Sequence, residues 1–325
     1  LTPVAVSDMD TFIGRFGVGA PGTHRLGHAV KGFFANGGAR LHVMRIHDDK
    51  NVVTISDLEV LDDLEDVSLL AAPGFSDSDS HRAMIDYTDA RSDLFAVLDG
   101  PAVLGRAREI LPDHRPRHGR AALYAPWLRI ADFATGAIVE CPPSGHVCGV
   151  FARADAARGV HSAPADEGIT GAFEATDTVS NTRLTDLSPQ GINVLRMLQG
   201  GVRVWGARTL AEQGSDWVYV PVRRLITMIE LSVTQGTQWA VSEDNDETLW
   251  AAIRQSVEHF LSGLWREGAI QGARPQEAFF VRCGEDTMSQ ADLDSGRLVI
   301  SIGVAPLKPE EFVVIHVRQW LADRA

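Results

Sequence analysis

Val67-Ser-Leu-Leu-Ala-Ala-Pro-Gly74 is an uncharged apolar run cut off by a Pro-Gly pair. Such a run reads as a strand buried on both faces, and Pro73-Gly74 ends it because proline cannot donate to a ladder. Outward from it the pattern repeats. Ser80–Arg91 reads as a helix, Leu94–Asp99 as a strand, Ala102–Leu111 as a helix and Ala121–Ala125 as a strand. Upstream, Thr11–Phe16 and Leu41–Ile46 read as strands. Leu26–Ala35 reads as a helix closed by Asn36-Gly37-Gly38, a left-handed stop. Ser56 opens a further helix, with Glu59 at capping-box spacing. Strands separated by helices of this length predict βαβ crossovers and a mostly parallel sheet.

The second half has a different texture. Ser144–Arg158 reads as a helix, with Ser144 as its N-cap. Gly168–Asp186 is polar and reads as an exposed excursion, Ser188–Leu198 as a short helical piece and Gly201–Trp205 as a strand. Arg223–Gln235 and Asp246–Gly268 read as helices. In the second, Leu249, Ile253, Val257, Phe260, Leu261 and Leu264 follow the 3.6-residue period. The acidic run Glu243–Glu247 stands at its start, where the helix dipole favours anions. Ala278–Cys283, Arg297–Val304 and Glu311–Trp320 read as strands. The expected fold is thus an α/β lobe with a mostly parallel sheet, followed by a mixed α+β lobe that ends in a strand. The expected division is 1–25, a first strand and the remnant of an arm; 26–190, the α/β lobe; and 191–325, the α+β lobe.

Composition excludes several classes. No apolar run approaches the ~20 residues of a membrane span, so direct membrane insertion is not expected. The 43 acids outnumber the 30 bases for a formal charge of −13, which disfavours nucleic acid as a partner. Cys141, Cys148 and Cys283 form no CxxC pair, which argues against a disulfide scaffold or a zinc ribbon.

The candidate chemical motifs are weak. Gly17-Val-Gly-Ala-Pro-Gly22 matches the dinucleotide-binding pattern, but Pro21 removes a phosphate-binding donor. No acid lies between Asp10 and Asp48 to hold a ribose. A surface turn is the better reading. His114 and His118 are four apart, yet Pro112 and Pro116 exclude a helix that would converge them on a metal. Arg106, Arg108, Arg115, Arg117 and Arg120 read as a basic surface patch. Ser144, His146 and Cys148 lack the G-x-S-x-G elbow of a nucleophile. No catalytic residue, cofactor or metal site is expected.

Ordered motifs carry a resemblance to contractile tail sheath proteins. His28-Ala-Val-Lys-Gly-Phe-Phe-Ala-Asn-Gly-Gly38 and Leu41–Ile46 resemble the family's A-V-x-G-F-F-x-N-G-G…V-x-R-V stretch. Ala122–Leu128 and Pro142–Arg153 are similar to its Y-x-P-W and P-P-S-G-x-x-A-G-x-x-A-R patterns, with Cys148 where alanine is usual. Val202–Leu210, Gly236–Trp239, Asn245–Trp250, Phe279–Cys283 and Gly296–Leu298 continue it in the family's order. Residues 1–25 do not match the family's extended N-terminal arm.

The resemblance implies a structural subunit, not an enzyme, of a phage tail or tail-like particle assembled in the bacterial cytoplasm. Its implied partners are itself in a helical sheath, an inner tube protein, and baseplate and terminator proteins. It implies that the terminal strand, Phe312, Val313, Val314, Ile315, His316, Val317 and Arg318, adds to a sheet of another subunit. It also implies that the polar face of Asp246–Gly268, with Arg254, Glu258, Ser262 and Arg266, meets the tube; a simple Arg254–Glu258 intrahelical pair is the plainer alternative. A nucleotide-dependent oxidoreductase using Gly17–Gly22, and a baseplate or adaptor protein of the same machine, are the competing functions.

Overall fold

The computed structural model describes residues 2–18, 25–46, 51–294 and 297–308. Strand β1 (Val4–Val6) leads into helix α1 (Met9–Phe16) and, beyond a gap in the described residues, α2 (Arg25–Ala35). β2 (Leu41–Val43) then returns to pair antiparallel with β1. The strand expected over Thr11–Phe16 is therefore a helix. Asp8 caps it by accepting the Thr11 amide at 2.7 Å, and Phe12 and Phe16, one turn apart, stack at 5.2 Å. Gly17, at φ 78°, ends it. Residues 19–22 of the glycine motif lie outside the described residues, and the part that is seen follows a helix and not a strand.

Next come α3 (Ile55–Leu58), β3 (Leu69–Leu70), α4 (Ser78–Ala90), β4 (Phe95–Asp99), α5 (Ala107–Ile110) and β5 (Ala121–Ala125). The capping box forms two residues earlier than expected, between Thr54 and Asp57. The helix expected over 102–111 shrinks to α5. The Leu104 amide is taken by Asp177 at 3.0 Å and the Arg106 amide by Glu109 at 3.0 Å, so those donors are spent before a longer helix forms. The run that opened the sequence reading is a two-residue edge strand with only Leu70 buried. It has a neighbour on one side only, so it cannot be covered as a central strand is.

Two strands, β6 (Leu128–Ala131) and β7 (Ile138–Cys141), precede α6 (Ser144–Arg158); β8 (Glu167–Gly168), β9 (Ala172–Ala175) and α7 (Asn181–Leu187) follow it. The segment 168–186 is thus structured, and it buries Ile169 and Val179. The helix expected over 188–198 is wrong beyond Gln190. Gly191, at φ 90°, stops a single 3-10 turn, and the chain then enters β10 (Ile192–Leu198) and β11 (Gly201–Trp205).

The main sheet has the order β3-β4-β5-β10-β11-β8. Its first four strands run parallel; β11 is reversed, pairing antiparallel with β10 on one side and with β8 on the other. The fold is mixed α/β, and the sheet is less uniformly parallel than the sequence pattern suggested. One face packs under α4 and α7 through Met84, Ile85, Leu98, Leu123 and Leu187. The other face meets α6 and a three-stranded sheet of order β7-β6-β9 through Val97, Tyr124, Val147, Phe151 and Leu195.

The remaining described elements are α8 (Val220–Gly236), α9 (Glu247–Arg266), α10 (Pro275–Ala278), β12 (Phe279–Arg282), α11 (Gln290–Asp294) and β13 (Ser301–Val304). α8, α9 and the antiparallel β12–β13 hairpin enclose a separate apolar cluster built on Leu225, Ile229, Trp250, Ile253, Val257 and Leu261. The strand expected over Glu311–Trp320 lies outside the described residues.

α2 and α6 cross at backbone contact distance. A Cβ on Gly145 would run into the Ala29 backbone, and one on Gly149 into the Phe33 carbonyl. On α2, Gly32 leaves room for the His146 ring. Overpacking of this kind costs about 1–3 kcal/mol. Gly149→Ala should therefore lower the urea-unfolding free energy by about 1–3 kcal/mol. Gly263→Ala, in α9 with nothing within 4 Å of the new methyl, should raise it by about 0.5–1 kcal/mol. Equal effects at the two positions would refute the close crossing.

Candidate interaction surfaces

The buried polar groups bear directly on whether a catalytic site exists. Asp99 ends β4 with its carboxylate enclosed. It accepts the Ser144 amide at 2.7 Å, the Ser144 hydroxyl at 2.8 Å and the Gly74 amide at 3.0 Å. Ser144 is therefore the first residue of α6, not its N-cap; Pro143 holds that place, and a carboxylate from another strand caps the helix. The His81 ring nitrogen lies 3.1 Å from the Asp99 carbonyl, which can only accept. Burial lifts the Asp99 pKa to about 6 against the hydrogen bonds from Gly74 and Ser144 and the field of Arg25.

These groups do not assemble a nucleophile. The Ser144 hydroxyl donates to Asp99. Burial, together with His28 and Lys31, lowers His146 to about 4, and its Nδ1 has no hydrogen-bond partner among the described residues. Burial pushes the Cys148 thiol up to about 12. A thiol held neutral beside a histidine held neutral cannot start covalent chemistry.

The other candidates disperse as well. His114 pairs with Asp86 at 2.8 Å, and no cluster of metal-ligating residues occurs among the described residues. The expected basic patch is partly internal. Arg115 donates to the Gln190 and Leu210 carbonyls, and the buried Arg120 to the Ser92 carbonyl and to Glu230. Glu230 also accepts from Arg223 at 2.9 Å. Arg223 stacks 4.3 Å over Trp217, and burial and Arg120 lower its pKa to about 10. Arg224 forms a two-pronged pair with Asp155 of α6 at 2.9 and 2.6 Å. Arg120 links the start of β5 to α8, and Arg224 links α8 to α6.

What the chain presents outward is surface. α9 buries Leu249, Ile253, Val257 and Leu261 as the period required, and Asp246 caps it by accepting the Leu249 amide at 2.9 Å. On its polar side Glu258 and Arg266 are exposed, while Arg254 and Ser262 are half-buried. Arg254 does not pair with Glu258. It reaches back to Glu247 at 2.6 Å and to the Cys283 carbonyl, because the β12 end stands beside that turn of the helix. Phe312–Arg318 lie outside the described residues. Sequence reading missed a second surface, the outer side of β7-β6-β9, where Ile138 and Phe173 are exposed. The alternation in Leu128–Ala131 could have flagged the sheet, but the side of it left uncovered is set by packing.

Comparison with known proteins identifies the family. Residues 56–210 match the phage tail sheath protein central domain, and residues 212–319 match the phage tail sheath C-terminal domain. The chain belongs to the phage tail sheath protein family. It is 27% identical over 266 residues to a prophage major tail sheath protein of Pseudomonas aeruginosa, covering 78% of this chain and 66% of that relative's length. The sheath of the PVC extracellular contractile injection system in its contracted state superimposes with a TM-score of 0.84 at 28% identity. That likeness covers 99% of this chain and 88% of the other. A chain of the anti-feeding prophage baseplate matches with a TM-score of 0.83 at 27% identity, over 98% of this chain and 88% of that one. The sheath fold therefore runs through the whole described chain.

Asp99 gives this sheath subunit a pH signature. Its carboxylate titrates at the ordinary value of about 3.8 in the unfolded chain and at about 6 when folded. The folded state thus binds the proton more tightly, and stability is lost as pH rises from about 4 through 6. The difference corresponds to about 3 kcal/mol. Urea unfolding of the parent and of Asp99→Asn at pH 4 and pH 8 should show the parent losing about 3 kcal/mol relative to the variant on going to pH 8. A constant difference across that range would show that the carboxylate is not the titrating group.

Proposed function

We propose that this chain is the repeating subunit of a contractile sheath: it polymerises helically around an inner tube, and its repacking drives the tube through a target envelope. The observation that supports this most directly is the likeness to a contracted sheath over 99% of the chain. Two packings of one rigid subunit, separated by a barrier, are enough to store and release the work. A structural role without enzymatic activity accords with the absence of an activated nucleophile among the described residues. A second reading, a sheath-type chain seated at the baseplate, draws on the match to the anti-feeding prophage baseplate chain. Assembly in the bacterial cytoplasm is part of the proposal.

Three features would serve these roles. Phe312–Arg318 would add as a strand to a sheet of a neighbouring subunit, tethering it through the change. The polar side of α9 would meet the tube, with exposed Glu258 and Arg266 making the contact and Arg254 and Ser262 supporting it. Polar contacts give register without the apolar burial that would resist release. A central unit and a C-terminal unit would divide the chain. Because β10 and β11 belong to the main sheet, the boundary we propose follows Trp205 and not residue 190.

Negative-stain microscopy of the expressed chain should show hollow cylinders; isolated particles at high concentration would reject the sheath reading. Deleting Glu311–Ala325 should leave a folded monomer that forms none. Glu258→Lys with Arg266→Glu should reduce tube occupancy in co-assembled particles at least severalfold while tube-free cylinders still form. Full tube occupancy in that double variant would place the grip elsewhere.

A further inference from the structure

The three-stranded sheet is covered on one side only. Leu128, Ile130 and Cys141 turn inward and are buried, with Val139 and Ala172 packed beside them. Alternation sends Arg129, Ala131, Ile138 and Glu140 to the other side. The β6–β9 register slips between Arg129 and Ile130, so that Glu174 faces Arg129 while Ala172 faces Ile130. Phe173 is the extra residue of this bulge, and a bulge re-aims the side chain it carries. Phe173 is 54% exposed and Ile138 is 67% exposed. Beside them Arg129 sits between Glu174 at 2.8 Å and Glu140 at 3.7 Å. Two carboxylates against one guanidinium leave the patch with an excess of negative charge.

The same chain carries a surface of opposite sign. On β12, Phe280 is 50% exposed, and the Arg282 guanidinium lies 5.2 Å from its ring centre. The exposed Arg274 that precedes this strand pair is offset by Glu277 at 4.0 Å, so the positive charge of the patch rests on Arg282. The two surfaces are different patches of one molecule, each pairing apolar area with charge complementary to the other. Contact between unlike patches of identical subunits is head-to-tail, and it builds a ring where the rotation closes and a helix where it does not, so one such contact can extend an array. We propose that the outer face of β7-β6-β9, centred on Ile138 and Phe173, is an interface that a second copy of this chain covers in the assembled sheath. This rests on the sheath reading but assigns the contact to a surface outside the terminal strand and outside α9.

The three native cysteines, Cys141, Cys148 and Cys283, are buried, so one cysteine introduced on this face reports on it alone. Phe173→Cys and Ile138→Cys, each with an unchanged melting temperature, are to be labelled with a maleimide as monomers and in assembled cylinders of the full chain. Both should react at least tenfold more slowly in cylinders. Phe173→Asp with Ile138→Asp should leave a folded monomer whose yield of cylinders falls at least tenfold. Equal labelling in the two states, or normal cylinders from the double variant, would overturn the proposal. So would protection that appears only when tube or baseplate proteins are added. Failure of the parent chain to form cylinders would instead count against the sheath reading itself.

Discussion

Helix α6 is enclosed on every side over its first eight residues, Ser144 to Phe151, and the rest of the subunit is arranged around that enclosure. One side lies on the main sheet, with Val147, Val150 and Phe151 among the strand residues. The opposite side meets α2 at backbone distance, which Gly145, Gly149 and, on α2, Gly32 permit. Its start is capped by Asp99 from β4, and Asp155 near its end holds Arg224 of α8. A helix buried all round has no amphipathic stripe, and its position is fixed by shape as much as by apolar area. The N-terminal strand pair, the sheet and the C-terminal unit all reach one another through it.

Several polar contacts around this helix are buried on at least one side. Asp99 with Ser144, Arg224 with Asp155, and Arg120 with Glu230 each join segments far apart in the chain. Asn36 adds another, exchanging hydrogen bonds with the Thr170 amide and carbonyl at 2.8 and 3.0 Å. Enclosed ionic groups contribute little net stability, since desolvation offsets attraction. Their effect is to make any other relative placement of the units leave a charge without its partner. A subunit that must move as a body within an array gains from such fixed internal geometry.

Outside, the chemistry is reversed. Ile138, Phe173, Phe280 and Trp239 are large apolar side chains left in water, next to charges that are only partly neutralised. Such surface is uncommon on a free monomer when it is contiguous and is suited to association. Polar pairs that hold the internal geometry are thus separated from exposed apolar side chains that are available for association.

Much of the fold was legible in the sequence. Ser144–Arg158, Ala121–Ala125 and Gly201–Trp205 match their observed limits, and α2 and α9 do so to within about one turn, because glycine stops and, in α9, apolar periodicity are local signals. The family was legible as well, since its motifs recur in order. The Asp8 cap was a local signal too, but Thr11, Phe12, Ile13 and Phe16 are β-prone and pointed to a strand. Other features had no local signal. The strand at Ile192–Leu198 exists because β5 and β11 flank it, and propensity alone could not place it between them. The partner of Arg254, the burial of Arg120 and the raised pKa of Asp99 depend on groups distant in sequence. The sequence determined which residues could be helix, strand or stop. Only the tertiary structure decided which charges are enclosed and which apolar side chains stay outside, because desolvation depends on what packs over a group and not on its neighbours along the chain.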